Sequence, residues 1–173
     1  MIQLILLKSR GCESHNVGQL AERFGRAGRK GEVGERFAMA RWKEAGFEVI
    51  DRTQEISFQK AGIDFEIKKG KKSCSVDNKN NLRYRKGKII LSIEIMKGKK
   101  RPGWFHTSQA KLISHTHTSR KILLYYDLKK LREKLKPLIK SNEIKVENVR
   151  KTCKMVYIEK NDSRFKNIIK ELK

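Results

Sequence analysis

The stretch that decides the fold is GIDFEIKKGKKSCSVDNK, residues 62–79. Apolar and polar side chains alternate on both sides of a Lys/Gly turn, which predicts two antiparallel strands joined as a hairpin. Because side chains alternate across a strand, Asp64 lies on the face opposite Phe65, while Asp77 and Lys79 lie on the face opposite Val76. Pairing the two apolar faces therefore places Asp64, Asp77 and Lys79 on one side of the hairpin.

Two carboxylates on one side of a hairpin repel each other unless a positive charge lies between them. A divalent metal is one solution, because hard oxygen ligands are those that Mg²⁺ prefers. Lys79 could then orient or deprotonate a water molecule, or neutralise a phosphate. The alternative is structural: Asp64 and Asp77 flank a turn and form salt bridges with the abundant lysines.

The charge of the chain is the second strong signal. The 173 residues carry a formal charge of +23, and residues 61–173 hold 31 Lys/Arg against 11 Asp/Glu. This excess predicts an acidic partner, with DNA favoured over an anionic membrane surface. The basic residues expected to contact DNA lie in short runs near the hairpin: Lys68, Lys69, Lys71, Lys72, Arg83, Arg85, Lys86, Lys99, Lys100 and Arg101.

The remaining sequence predicts an α/β fold with a central mixed β-sheet flanked by helices. Helices are expected over 17–28, 31–46, 108–115 and 163–173, and over a segment with leucines at 128, 131, 135 and 138. Further strands are expected at 47–51, 87–96, 121–127 and 154–159. The length indicates one domain, divided into an N-terminal extension (1–30), a catalytic core (31–100) and a C-terminal strand and helix half (101–173).

Cysteine usage and hydropathy indicate the compartment. Three cysteines without a C-x-x-C spacing disfavour a disulfide framework, and no segment has the length of a membrane span or the form of a signal peptide. We therefore expect an intracellular, cytoplasmic protein without a membrane partner. The Cys12/His15 and His115/His117 pairs, with His106, match no known four-ligand zinc pattern.

Glu35, Asp64, and Asp77 followed two residues later by Lys79 form a pattern that resembles the PD-(D/E)XK nuclease superfamily. That superfamily has a helix bearing a glutamate, then a hairpin with an aspartate on its first strand and an acid-x-Lys on its second. The resemblance covers residues 30–96. It implies a restriction-endonuclease-like core in which Asp64, Asp77 and Glu35 bind Mg²⁺ or Mn²⁺ and, with Lys79, hydrolyse DNA phosphodiesters. The sequence departs from the pattern in having Asp77 where glutamate is commoner and Ile63 where a proline precedes the first aspartate.

Three accessory residues have open alternatives. Glu35 lies beside a packed helical stripe, where a metal or lysine would offset its burial, or where it forms a salt bridge with Arg36 or Arg41. Gln59, five residues before Asp64, could contact the attacking water or a phosphate, or be a polar loop residue. Glu94 could be an accessory ligand or a buried acid paired with a lysine.

Two subclasses of the superfamily fit different segments. RKGEVGERF (29–37) is similar to the start of archaeal-type Holliday-junction resolvases, whereas QKAGIDFEI (59–67) and RPGWFHTSQAKL (101–112) are similar to small phage and intron-encoded homing endonucleases. Both substrates require two cuts, so we expect a homodimer, encoded by a phage or mobile element in the second case.

The competing hypothesis is a non-catalytic nucleic-acid-binding protein in which the acidic residues are structural. Convergence of the carboxylates would disfavour it, since carboxylates repel bound phosphate.

Overall fold

The computed structural model describes residues 31–98, 101–149 and 153–172. The helices are α1 (31–44), α2 (Ile56–Ala61), α3 (Trp104–Thr107) and α4 (Leu128–Lys140). The strands are β1 (Glu48–Asp51), β2 (Phe65–Lys69), β3 (Lys72–Lys79), β4 (Arg83–Arg85), β5 (Lys88–Lys97), β6 (Arg101–Pro102), β7 (Leu112–His117), β8 (Ile122–Asp127), β9 (Glu147–Val149), β10 (Cys153–Glu159) and β11 (Lys170–Glu171). The predicted helix over 17–28 lies outside the described residues, as do Cys12 and His15. Within the described ranges, no helix is long and apolar enough to cross a membrane.

A six-stranded mixed sheet forms the centre of the fold. Its strand order is β1-β2-β3-β7-β8-β11, and all neighbours are antiparallel except β3 and β7, which are parallel. The predicted mixed sheet in an α/β fold is thus confirmed. The central strand β3 pairs with its hairpin partner β2 on one side and with the later, parallel strand β7 on the other.

A second, antiparallel sheet was not anticipated as a separate layer. Its order is β4-β5-β10-β9, with β6 paired to β5. Residues of both sheets share one core cluster with the buried leucines of α4, including Leu91 and Ile93 of β5 and Ile113 of β7. A second cluster packs α1 onto the other face of the mixed sheet, where Trp42 meets Phe65. The mixed sheet is therefore covered on both faces.

Helix α4 shows why the leucine spacing was a reliable signal. Leu128, Leu131, Leu135 and Leu138 are all buried, because residues three and four apart share one face of a helix. The helix begins after Asp127, whose side chain accepts a hydrogen bond from the backbone N–H of Lys130. The predicted helix is confirmed.

Two helix predictions were wrong. Residues 108–115 contribute to strand β7, which lies between β3 and β8 and buries four consecutive residues from Ile113 to Thr116. A strand buried on both faces loses the alternation that identifies strands in sequence. The described part of the second segment, residues 163–172, contains a short 3₁₀ helix, Ser163–Phe165, followed by β11, which pairs with β8. In both segments pairing to a neighbouring strand outweighs local helix propensity.

Close packing of α1 against the end of β3 leads to a stability prediction. A Cβ at Gly34 would lie 2.5 Å from the Cβ of Asn80, whereas a Cβ at Gly31 would meet only Glu35 Oε1, at 3.7 Å. We expect Gly34→Ala to lower the free energy of unfolding by about 1–3 kcal/mol through overpacking. The matched control Gly31→Ala should be neutral or raise it by about 0.5–1 kcal/mol through helix propensity. Urea denaturation measures the free energy of unfolding of both variants. Equal changes in the two would contradict the close contact between Gly34 and Asn80.

Candidate active site

The register of the β2–β3 hairpin brings Asp64 and Asp77 together. Phe65 pairs with Val76. Asp64, the residue just before β2, therefore lies opposite Asp77 of β3. The backbone N–H of Asp64 donates to the carbonyl of Val76 at 2.9 Å. Its Oδ2 accepts a hydrogen bond of 2.7 Å from the backbone N–H of Asn78. The carboxylate of Asp64 is therefore fixed at the end of the ladder, beside Asp77.

Asp77 is an almost fully buried carboxylate, with 1% of its surface exposed. It lies in the middle of the sheet because β3 continues past its pairing with β2 and pairs there with β7, Asp77 opposite Ile113. Lys79 forms an ion pair with its Oδ1. Even so, neither oxygen accepts a well-aligned hydrogen bond from any described residue. A buried carboxylate compensated only by one partly exposed ammonium has room for a second positive partner.

The pKa of Asp64 is raised to about 7. Burial is the largest cause and the negative charge of Asp77 adds to it, while the hydrogen bond from Asn78 and the charge of Lys79 oppose it. Near neutral pH Asp64 is therefore partly protonated when no cation is bound.

This pKa shift predicts a pH-dependent stability. The folded protein holds a proton on Asp64 up to about pH 7, whereas the ordinary pKa of an aspartate is 3.8, so the folded state binds more protons between these values. The free energy of unfolding contributed by Asp64 is therefore fully present below about pH 4 and is lost as pH rises to about 7. In EDTA, the free energy of unfolding of wild type should fall over this pH range, and we expect Asp64→Asn to lack that fall. Parallel urea-midpoint curves for the two proteins would contradict it.

Glu35 lies close enough to the pair to interact with it electrostatically. Burial raises its pKa; the charge of Lys79 lowers it, and the charges of Asp51, Glu32 and Asp77 raise it further. Its side chain lines a neighbouring cavity of about 340 Å³ together with Asp51. The alternative salt bridges of Glu35 are not formed, since Arg36 pairs with Glu32 and Arg41 with Glu44.

The donor set fits a divalent cation in part. Among the described residues, no group of three His, Cys, Asp or Glu side chains is close enough to hold a metal ion. Asp64 and Asp77 do supply hard oxygen ligands, and the buried oxygens of Asp77 accept no well-aligned hydrogen bond from the residues that the structure describes. Mg²⁺ commonly binds through one or two carboxylates and completes its coordination with water and substrate phosphate. These two aspartates fit such a site, and the assignment of Glu35 as a third ligand stays a prediction.

Lys79 connects this pair to an open groove of about 470 Å³ between the two sheets. Its ammonium lies 5.8 Å from the centre of the Trp104 ring, within range of a cation–π contact. The groove is lined by Gly31, Asn78, Lys79, Asn80, Asn81, Glu94, Lys97 and Trp104. Glu94 therefore lines the same groove as Lys79 and Lys97. A polymer that enters this groove would reach the aspartates past Lys79.

The other predicted site residues are Gln59 and the basic residues expected to contact DNA. Gln59 is exposed on α2, and its side-chain amide donates to the carbonyl of Thr53. Of the predicted DNA contacts, Lys68 is half-buried, and Lys99 and Lys100 lie outside the described residues. The remaining predicted contacts are exposed: Lys69, Lys71, Lys72, Arg83, Arg85, Lys86 and Arg101.

A buried hydrogen-bond chain next to Lys79 could not be identified from the sequence. His115 is fully buried, and burial lowers its pKa to about 3, so it is neutral. Its Nε2 lies 2.7 Å from the Tyr126 hydroxyl, and its Nδ1 lies 2.6 Å from Asn81 Oδ1. Asn81 in turn donates to the carbonyl of Ser92 at 3.0 Å. With Nε2 of His115 as acceptor and Nδ1–H as donor, every hydrogen bond has one donor and one acceptor. These hydrogen bonds join the two sheets where the backbone crosses between them.

Removing one end of this chain should destabilise the fold. Tyr126→Phe deletes the hydroxyl that donates to His115 and leaves Nε2 buried without a partner. We expect a loss of about 1–3 kcal/mol in the free energy of unfolding. The matched control is Tyr125→Phe, because the ring of Tyr125 packs on Trp42 and is retained. A thermal or urea midpoint that falls equally in both variants would contradict the role assigned to the hydroxyl.

Comparison with known proteins gives one distant likeness. No protein-family model matches the chain, and no curated protein matches it significantly. Among solved structures it is similar to the bacterial homing endonuclease I-Ssp6803I, with a TM-score of 0.47 and 10% sequence identity over 75% of this chain and 74% of that chain. A likeness at this level does not by itself assign an activity.

Proposed function

We infer that the chain is a metal-dependent endonuclease that hydrolyses phosphodiester bonds in DNA. The observation that carries this inference is the position of Asp64 beside the buried Asp77, whose ion-pair partner is Lys79 and whose oxygens accept no well-aligned hydrogen bond within the part of the chain that the structure describes. The resemblance to PD-(D/E)XK nucleases assigns the same three residues to catalysis.

The carboxylate pair disfavours a purely structural role. A structural acid in a chain with 42 Lys/Arg would be expected to pair at the surface, where desolvation is small. Asp77 is instead buried beside Asp64, and its negative charge helps to raise the pKa of Asp64. Burying two like charges side by side is costly unless a cation or proton joins them.

The roles follow from the positions of the side chains. Asp64 and Asp77 would hold Mg²⁺ or Mn²⁺, with Glu35 acting from the adjoining cavity. When bound, such an ion stabilises the negative charge that develops on phosphate oxygens. The ammonium of Lys79, which pairs with Asp77 and lines the groove, would donate hydrogen bonds to a phosphate oxygen or exchange a proton with the attacking water.

The basic surface would supply the affinity for DNA. Lysines and arginines on exposed turns neutralise phosphates and release counterions, so binding should weaken steeply with salt. Cutting both strands of a duplex, or both arms of a junction, calls for two sites, which a two-fold homodimer would provide.

Cleavage of labelled DNA tests the proposal. A linear duplex library, a four-way junction and a flap are each incubated with wild-type protein in Mg²⁺, Mn²⁺ or EDTA. We expect internal cuts that require the metal and stop in EDTA. Tight, salt-sensitive binding without cutting of any substrate would instead favour the second candidate, a non-catalytic nucleic-acid-binding protein, which the large basic excess also supports.

A further inference from the structure

The β4–β5 hairpin is an exposed, cationic two-stranded ribbon. Arg83 pairs with Ile90 and Arg85 with Lys88, which leaves only Lys86 and Gly87 in the turn. Both turn residues have positive φ, 50° and 77°, as a type I′ turn requires. All residues from 83 to 88 are exposed, and β4 is an edge strand of the described second sheet.

The hairpin presents two arginines from one face. Arg83 and Arg85 are two residues apart, so their side chains point the same way, and both line a shallow cavity of about 230 Å³ with Ile90, Glu147 and Tyr157. The Arg83 guanidinium lies 5.1 Å from the centre of the Tyr157 ring, a cation–π contact that limits its freedom.

The opposite face of β4 is also cationic. There the Arg120 guanidinium stacks on the Tyr84 ring at 3.6 Å. Residues 79–88 contain five lysines and arginines and no acid. The charge of the hairpin is therefore complementary to the phosphates on both sides of a nucleic-acid groove.

We propose that the β4–β5 hairpin enters the major groove of duplex DNA and that Arg83 and Arg85 contact guanine edges there, which makes the enzyme sequence-specific. The proposal rests on the proposed function. A two-stranded ribbon fits the B-DNA major groove, about 12 Å wide, and arginine binds guanine O6 and N7 with two hydrogen bonds. Side chains two residues apart on a strand are about 6.8 Å apart, which matches two base-pair steps of about 3.4 Å.

The chain also fixes this hairpin relative to the candidate active site. Lys79 ends β3 and Arg83 begins β4, so only three residues separate the catalytic strand from the ribbon. The middle one, Asn81, is held by His115 and by the Ser92 carbonyl. The base pairs that the hairpin contacts should therefore lie at a constant distance from the cut.

Selection of bound duplexes from a randomised library tests the proposal independently of cleavage. Binding is performed in EDTA with wild type, Arg83→Lys, Arg85→Lys and, as a control, Lys71→Ala in the exposed turn of the β2–β3 hairpin. We expect wild type to enrich guanine at two positions two base pairs apart. Each Arg→Lys variant should lose at least about fivefold of the preference at one position, because lysine keeps the charge but not the paired hydrogen bonds.

The control separates base recognition from general affinity. Lys71→Ala should weaken binding to all sequences alike, with a smaller salt dependence and an unchanged base preference. The proposal is overturned if wild type enriches no bases, if it prefers double-stranded RNA or four-way junctions to duplex DNA, or if Lys71→Ala erases the same preferences. Loss of metal-dependent cleavage alone would sink the proposed nuclease activity and not the base recognition.

Discussion

Replacing Asp77 with asparagine is expected to abolish DNA cleavage while leaving the fold and DNA binding intact. The amide has nearly the same volume, so packing around position 77 is retained. It removes the buried negative charge that repels Asp64 and that a divalent cation would need. We expect single-turnover cleavage to fall by at least about 10²–10³-fold.

The same substitution should not weaken DNA binding or stability. Asp77→Asn removes one negative charge that would repel DNA phosphates, so the affinity for DNA in EDTA should be equal to that of wild type or higher. The free energy of unfolding should fall little, because the lost ion pair with Lys79 is offset by relief of repulsion with Asp64.

Glu133→Gln is the control for Asp77→Asn, because it also replaces one carboxylate by an amide. Glu133 is exposed on α4, where its Oε1 lies 4.0 Å from the Lys129 ammonium. Its variant should cleave at close to the wild-type rate. Metal-dependent cleavage by Asp77→Asn within tenfold of wild type would show that this carboxylate is not part of the active site.

Lys79→Ala is expected to lose both cleavage and stability. Its ammonium is paired with Asp77, and removing it leaves a buried charge with no cationic partner when metal is absent. Breaking a buried pair in this way costs about 3–5 kcal/mol. If Lys79 also handles a proton or a phosphate oxygen, cleavage should fall by about 10²–10⁴-fold.

Lys79→Arg separates the two roles. Arginine keeps the positive charge beside Asp77, so the urea midpoint in EDTA should recover most of the loss seen with alanine. A guanidinium does not give up its proton, so cleavage remains low if proton transfer matters and returns if only charge is needed. Wild-type cleavage rates in Lys79→Ala would contradict any catalytic role of Lys79.

Adding Mg²⁺ to Lys79→Ala should raise its urea midpoint, because the cation replaces the missing charge beside Asp77.

Much of the site could be predicted because its geometry is local. Asp64 and Asp77 lie in one hairpin, and alternation in GIDFEIKK and SCSVDNK is enough to place them on the same side. The leucine spacing of α4 was equally direct, because its period buries one face of the helix. The apolar, β-branched run of β5 indicated a strand by composition. The mixed α/β fold followed from the order of these elements.

Strand β7 illustrates what local pattern could not supply. It is buried on both faces between β3 and β8, so its sequence carries no alternation, and a short helix was predicted in its place. The C-terminal residues likewise pair with β8 although their sequence has helical character. The second sheet depends on the pairing of β5 with β10, whose segments are far apart in sequence.

The sequence by itself determined which side chains share a face of the hairpin and that the chain is strongly basic, because strand periodicity and composition are properties of neighbouring residues. Only the tertiary structure decided that Asp77 is buried, that Glu35 lines an adjoining cavity, and that the Gln59 amide donates to a backbone carbonyl. It also joined Asn81 to His115 across 34 residues of chain. Such contacts arise from the packing of two sheets and a helix, which fixes distances between segments that no local pattern relates.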